Sequence, residues 1–125
     1  MSELDPVRSY LRSRGAALHV VEGGLEGLIE RWRRAARGLE AGHGDFDDYL
    51  NDVDGRQILH EVLARLDAPL RARVRARVRR IDQRVRARLE PVGECLWGAR
   101  AAREHGWSPA EQWWYFHRPR PPSAE

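Results

Sequence analysis

Apolar residues recur along most of this chain at three- and four-residue steps, the period of amphipathic helices and not of half-buried strands. Leu4, Val7, Tyr10 and Leu11 share one face of a short first helix, which Asp5 can cap, Pro6 can open and Gly15 can end. Residues 16–22 read as a connector. Leu25, Leu28, Ile29, Trp32, Ala35, Ala36 and Leu39 define a second helix, with Gly42 placed for a left-handed C-terminal turn. Gly27 and Gly38 weaken that helix by about 1 kcal/mol each relative to alanine. Phe46, Tyr49, Leu50 and Val53 keep the helical spacing until Gly55 interrupts it. Asp54 is placed to cap a further helix bearing Ile58, Leu59, Val62, Leu63 and Leu66, so a kink or turn is expected at Asp54-Gly55.

The stretch from Leu70 to Arg79 breaks the pattern by alternating strictly between an apolar residue or alanine and an arginine, the period of a strand. The alternation fails at Arg80-Ile81, whereas the helical period runs on through Leu70, Val74, Val78, Ile81, Val85 and Leu89. On a helix these six occupy only about 100° of the circumference. Alanine, arginine and leucine are also strong helix formers. The prediction is a helix over about 68–90, the longest of the chain, capped by Asp67, with Pro69 in its first turn and Pro91 at its end.

Pro91 to Gly98 reads as irregular, with Cys95, Leu96 and Trp97 turned inward, and Ala99 to His105 as a short helix ended by Gly106. Ser108-Pro-Ala-Glu111 has the form of a capping box with proline at the first helical position, and should launch a short aromatic helix over 112–117. The proline-rich residues 118–125 are expected to be an extended or frayed tail. The predicted fold is all-α: a compact bundle of four to five main helices in one domain, 1–117, followed by that tail.

Composition narrows the class. A chain of 125 residues suits one domain with a core of its own. Its single cysteine excludes an intramolecular disulfide and any zinc site built on two cysteines. All 22 basic residues are arginine, and threonine is also absent, a bias that GC-rich bacterial codon usage would produce. The net charge of +3 hides an uneven distribution: residues 1–68 carry a balance of −4, and residues 69–90 carry nine arginines against two acids. No apolar run of signal-peptide length opens the chain, and none approaches the ~18 residues of a membrane span. A cytoplasmic protein without a membrane partner is expected.

The arginines of the fourth helix flank its apolar seam. Arg73, Arg77, Arg80, Arg84 and Arg88 form one column, and Arg71, Arg75, Arg79 and Arg86 a looser one opposite. Their heads either pair with the acidic 45–67 segment of the same chain or grip an outside acid or phosphate. The aromatic end, Trp107 with Trp113 to Phe116, either closes the core or forms an exposed anchor beside Arg118. Partner-binding candidates are therefore Arg73, Arg77, Arg80 and Arg84, the acids Asp45, Asp47, Asp48 and Asp52, and Trp113, Trp114 and Arg118. Asp52, Asp54, Gly55 and Glu61 match four positions of a calcium loop, but Leu50 at its first position cannot ligate. The histidines are scattered, and no nucleophile, phosphate-loop, dinucleotide or zinc-protease motif is present. Neither catalysis, metal nor cofactor is expected. The expected function is protein–protein interaction, as a small bacterial regulator, adaptor or stoichiometric inhibitor of the immunity or antitoxin kind. Nucleic-acid binding through the arginine helix is the alternative, and a homo-oligomer on the Leu70–Leu89 seam a third.

Overall fold

Gly15 ends the first helix, α1 (Asp5–Ser13), by taking φ +80°. That backbone lets the Ala16 N–H reach the Leu11 carbonyl and the Gly15 N–H the Arg12 carbonyl, both at 3.0 Å, the paired bonds of a Schellman end. The computed structural model describes residues 5–42 and 45–121. Leu4, His43, Gly44 and residues 122–125 lie outside them.

The second helix, α2 (Leu18–Glu40), begins inside the stretch expected to be a connector. The chain breaks at Gly24 instead, where φ +59° and ψ −151° suit only glycine, and then continues as helix to Glu40. α2 spans 23 residues across that break, and the arginine helix, with 19, is the longest unbroken one. Gly42 takes φ +77° just past its end, as its position predicts.

The third helix, α3 (Phe46–Leu63), runs through Asp54-Gly55 without the expected kink. Gly55 serves packing there. A Cβ at this buried position would meet Arg31 Nε at 3.2 Å. Without one, the Arg31 side chain crosses α3 and donates to the Asn51 carbonyl at 3.2 Å. Asp54 caps nothing. Its Oδ1 accepts from the Tyr115 hydroxyl at 2.9 Å and from Trp97 Nε1 at 3.2 Å, tying the C-terminal segment to α3.

The alternating stretch is helical, as its longer period requires. In α4 (Ala68–Arg86), Asp67 Oδ1 accepts from the Leu70 N–H at 3.0 Å, and Val74, Val78, Ile81 and Val85 are buried. The helix stops before Leu89 because the C-terminal chain competes for the residues beyond it. β1 (Leu89–Pro91) and β2 (His117–Pro119) form an antiparallel ribbon in which Leu89 faces Pro119 and Pro91 faces His117. Arg120 donates from its side chain to the carbonyls of Ala87 at 2.7 Å and Leu89 at 3.2 Å. A cation thus caps the carbonyl end of α4, where the helix dipole favours it. The segment expected to fray from residue 118 is pinned at least to Arg120.

Between the strands, α5 (Ala99–His105) ends at Gly106 with φ +69°. Ser108 Oγ accepts from the Glu111 N–H at 3.2 Å, but the Ser108 N–H donates to Gln112 Oε1 at 2.9 Å and not to Glu111. The capping residues therefore close a single turn, followed by a 3₁₀ turn over Trp113–Phe116 and not by the expected helix. Trp113, Trp114 and Tyr115 are buried, so the aromatic end closes the core.

One carboxylate ties the bundle together. Asp82 on α4 accepts from Trp32 Nε1 of α2 at 2.8 Å and from Arg56 of α3 through Nε at 2.9 Å and Nη2 at 3.0 Å. The Arg56 and Asp82 side chains are only 7% and 14% exposed. Removing one member of a buried pair leaves the other charge uncompensated, at about 3–5 kcal/mol. Asp82→Asn should therefore lower the urea midpoint by that much stability. Arg77→Gln, in an ion pair 39% and 60% exposed, should lower it by at most about 1 kcal/mol. Equal losses in the two variants would refute the assignment of Asp82 as the central tie.

Glycine gives a second check. A Cβ at Gly38 meets nothing within 4 Å and its φ is not positive, so Gly38→Ala should raise stability by about 0.5–1 kcal/mol. Gly24→Ala should lower it by about 1–3 kcal/mol through backbone strain. Thermal unfolding of the two variants should move in opposite directions.

Candidate functional site

Packing on α2 and α3 sorts the α4 arginines by their place around the helix. Arg77 and Arg84, seven residues apart, lie on the flank towards α2. There Arg77 grips Glu26 with both terminal nitrogens at 2.7 and 2.8 Å, and Arg84 grips Glu40 at 2.6 and 3.0 Å. The hydrogen bond from each arginine holds its carboxyl below the usual glutamate range. On the α3 flank, Arg71 donates to the carbonyls of Leu63 at 3.1 Å and Leu66 at 2.6 Å, closing the end of α3. Arg86 lies over the Trp113 ring, 4.8 Å from its centre.

Arg73, Arg75, Arg79 and Arg80 remain. All four are exposed, and among the described residues none makes a hydrogen bond, ion pair or ring stack. At 100° per residue they border the outward face of α4, whose floor is Ala72, Ala76, Gln83 and Ala87. That face carries no acid. The predicted column of Arg73, Arg77, Arg80 and Arg84 thus splits into two arginines held inside the molecule and two left outside.

The acids that neutralise α4 are not those of the 45–67 segment. They are Glu26 and Glu40 of α2. Asp45 is the cap of α3, its Oδ1 accepting from the Asp48 N–H at 2.7 Å. Asp47 and Asp48 are exposed in the first turn, where the helix dipole favours acids. Asp52 is half-buried on the wall of a cavity of about 730 Å³ between α2 and α3. Burial pushes its carboxyl up to about 6; Arg31 opposes the shift and Asp48 adds to it.

The aromatic anchors are not at the surface. Trp113 and Trp114 are 8% and 1% exposed. Their burial follows from the ribbon that folds the chain's end back onto the core. Arg118 is engaged with Glu90 across that ribbon at 2.8 Å. Within the chain the apolar seam is buried from Val74 to Leu89, with Leu70 partly buried.

A smaller cavity of about 330 Å³ opens between α3 and α4. Arg56, His60, Arg75, Arg79, Asp82 and Glu111 stand on its wall. The Arg56 guanidinium lies over the Trp114 ring at 4.1 Å, and the His60 ring is 5.5 Å from that of Trp114. Burial, with Arg56 and Arg75 nearby, lowers the His60 pKa, with Glu111 and Glu61 opposing the shift. Arg56, His60 and Asp82 were not among the sequence candidates. The one available signal was Asp82, the single acid between Asp67 and Glu90 in a run of arginines.

Among the described residues no group of three or more His, Cys, Asp or Glu side chains could hold a metal ion, and no helix is long and apolar enough to cross a membrane. Cys95 is a buried free thiol. No family model matches the chain, and no curated protein or solved structure is significantly similar to it.

Asp52 supplies a pH test. Its folded pKa of about 6 lies above the usual aspartate value, so the unfolded chain gives up this proton first. Its contribution to stability is full below about pH 4 and is lost as pH rises through about 6. Asp52→Asn should therefore match the unsubstituted protein in acid and exceed it at neutral pH, by on the order of 1–2 kcal/mol. Urea unfolding from acid to neutral pH reads this difference. A variant less stable at neutral pH would mean that the charged Asp52 is favourably held.

Proposed function

We propose that this chain is a non-catalytic binding module that presents the outward face of α4 to an acidic protein partner. The observation that carries the reading is the contrast within one helix: Arg77 and Arg84 have acids of their own, whereas Arg73, Arg75, Arg79 and Arg80 have none. Exposed guanidinium groups match carboxylates in planar, two-toothed pairs. The alanines between them admit a partner backbone to close approach. An adaptor or stoichiometric inhibitor in a reducing cytoplasm fits this surface and the free thiol. The burial of Trp113 and Trp114 withdraws the two tryptophans near Arg118 from any stacking with single-stranded nucleic acid, which favours protein over nucleic acid.

Titration calorimetry with polyglutamate, duplex DNA and single-stranded DNA at two salt concentrations tests the choice. Polyglutamate should bind, and changing Arg73, Arg75, Arg79 and Arg80 together to glutamine should weaken it by about tenfold or more, ~1.4 kcal/mol per tenfold. Thermal stability should change little, since these side chains hold nothing inside the molecule. Arg77→Gln with Arg84→Gln should leave binding near that of the unsubstituted protein. Unchanged binding by the fourfold variant would sink the assignment of this face. DNA binding that is tighter than polyglutamate binding and falls steeply with salt would replace the protein partner with nucleic acid.

A further inference from the structure

Arg56 is the most deeply buried charge described in the chain, with 6% of the residue exposed. Two of its nitrogens are held by Asp82, and its planar group rests on Trp114. Its third nitrogen, Nη1, is buried without any acceptor. A guanidinium donor buried without an acceptor is unfavourable, because nothing replaces its lost hydration. Arg56 is also one of the residues on the wall of the 330 Å³ cavity, where Arg75 and Arg79 add two further cations. Of the two acids on that wall, Asp82 already serves Arg56 and Trp32, which leaves Glu111 against Arg75 and Arg79.

We propose that the cavity between α3 and α4 is a phosphoryl-group site, with Arg56 as its fixed floor and Arg75 and Arg79 as its outer donors. Three guanidinium groups match the several acceptor oxygens of a tetrahedral oxyanion better than the two of a carboxylate. Asp82 and Trp114 hold Arg56 in place before any ligand arrives, so little side-chain entropy is lost at that donor on binding. The site shares Arg75 and Arg79 with the partner face and, to that extent, rests on the preceding reading. The phosphoryl group comes either as free phosphate or on a phosphorylated side chain of the partner.

Three probes separate these cases: inorganic phosphate, an acidic peptide with a central phosphoserine, and the same peptide with serine. The readout is the arginine side-chain and His60 ring resonances of the full chain by NMR, with chloride at matched ionic strength as control. A saturable shift of the Arg56 and His60 signals with phosphate or with the phosphopeptide, and not with chloride, is expected. Arg75→Gln with Arg79→Gln should weaken it by about tenfold or more. If that pair fails to fold, each single variant is read in the same way. A shift with inorganic phosphate assigns the free ion; a shift with the phosphopeptide alone assigns the partner's side chain. No saturable shift at millimolar concentrations of either probe overturns the site, as does binding that the arginine variants leave unchanged. Binding of the serine peptide through Arg73 and Arg80 with Arg56 silent would leave the partner face standing and the pocket refuted. The reverse result would keep the pocket and refute the face.

Discussion

The architecture turns on the Asp82 carboxylate. It lies between α2, α3 and α4 and accepts three hydrogen bonds, one from Trp32 and two from Arg56. A carboxylate withdrawn from water is tolerated only when such bonds and an opposing charge replace its hydration. Each donor therefore fixes something else. Trp32 sets the rotation of α2 about its axis. Arg56 sets that of α3 and becomes the platform on which Trp114 stacks. Trp114 in turn gives its carbonyl to the Tyr49 hydroxyl at 2.8 Å, which returns the C-terminal segment to α3. A second carboxylate does the same work for the N-terminal helix. Glu61 accepts from Tyr10 of α1, from Arg14 just beyond its end and from Gln57 of its own helix. Apolar burial supplies the larger driving force, but these acids decide which faces meet.

That division explains what could be read in the sequence. Helix periods were legible because they come from apolar burial, which repeats: the α4 seam is helical from Leu70 to Val85 despite ten residues of strand-like alternation. Caps and ends were legible where one residue does the work alone, as Asp67, Gly15 and Gly42 do. Contacts between distant residues were not. Gly55 looks like a helix breaker, yet it is there for the Arg31 side chain that passes over it. Asp54 looks like a cap, yet it holds Tyr115 and Trp97 from the far end of the chain. The end of α4 was misplaced because the strand that displaces it begins almost thirty residues later.

The candidate site shows the same limit at the level of charge. The sequence placed the arginines correctly on the flanks of the seam, but it could not say which acids would face them. Segment balances suggested the acidic stretch after Asp45, because it holds most of the acids near α4 in the sequence. The fold lays α4 chiefly against α2, so Glu26 and Glu40 take that place. Arg75 and Arg79 were visible as part of the looser column, but only the fold sets them beside Arg56 and His60.

What remains is a difference between charge that stabilises and charge that is left over. Exposed ion pairs such as Arg77–Glu26 contribute little to stability, about 0–1 kcal/mol, but they remove a cation from the outward field. Arg71, Arg84, Arg86 and Arg120 are likewise committed to carbonyls, an acid or a ring. A composition rich in arginine for genomic reasons would scatter unpaired guanidinium groups over the surface. Among the described residues eight exposed guanidinium groups are unpaired: Arg12, Arg34, Arg88 and Arg103 are scattered, whereas four border one face of one helix, beside a cavity whose wall includes a buried arginine with an unsatisfied donor. Codon usage can account for arginine in place of lysine. It gives no reason for four unpaired arginines to share one helix face beside an unsatisfied one, whereas the proposed anionic ligand would.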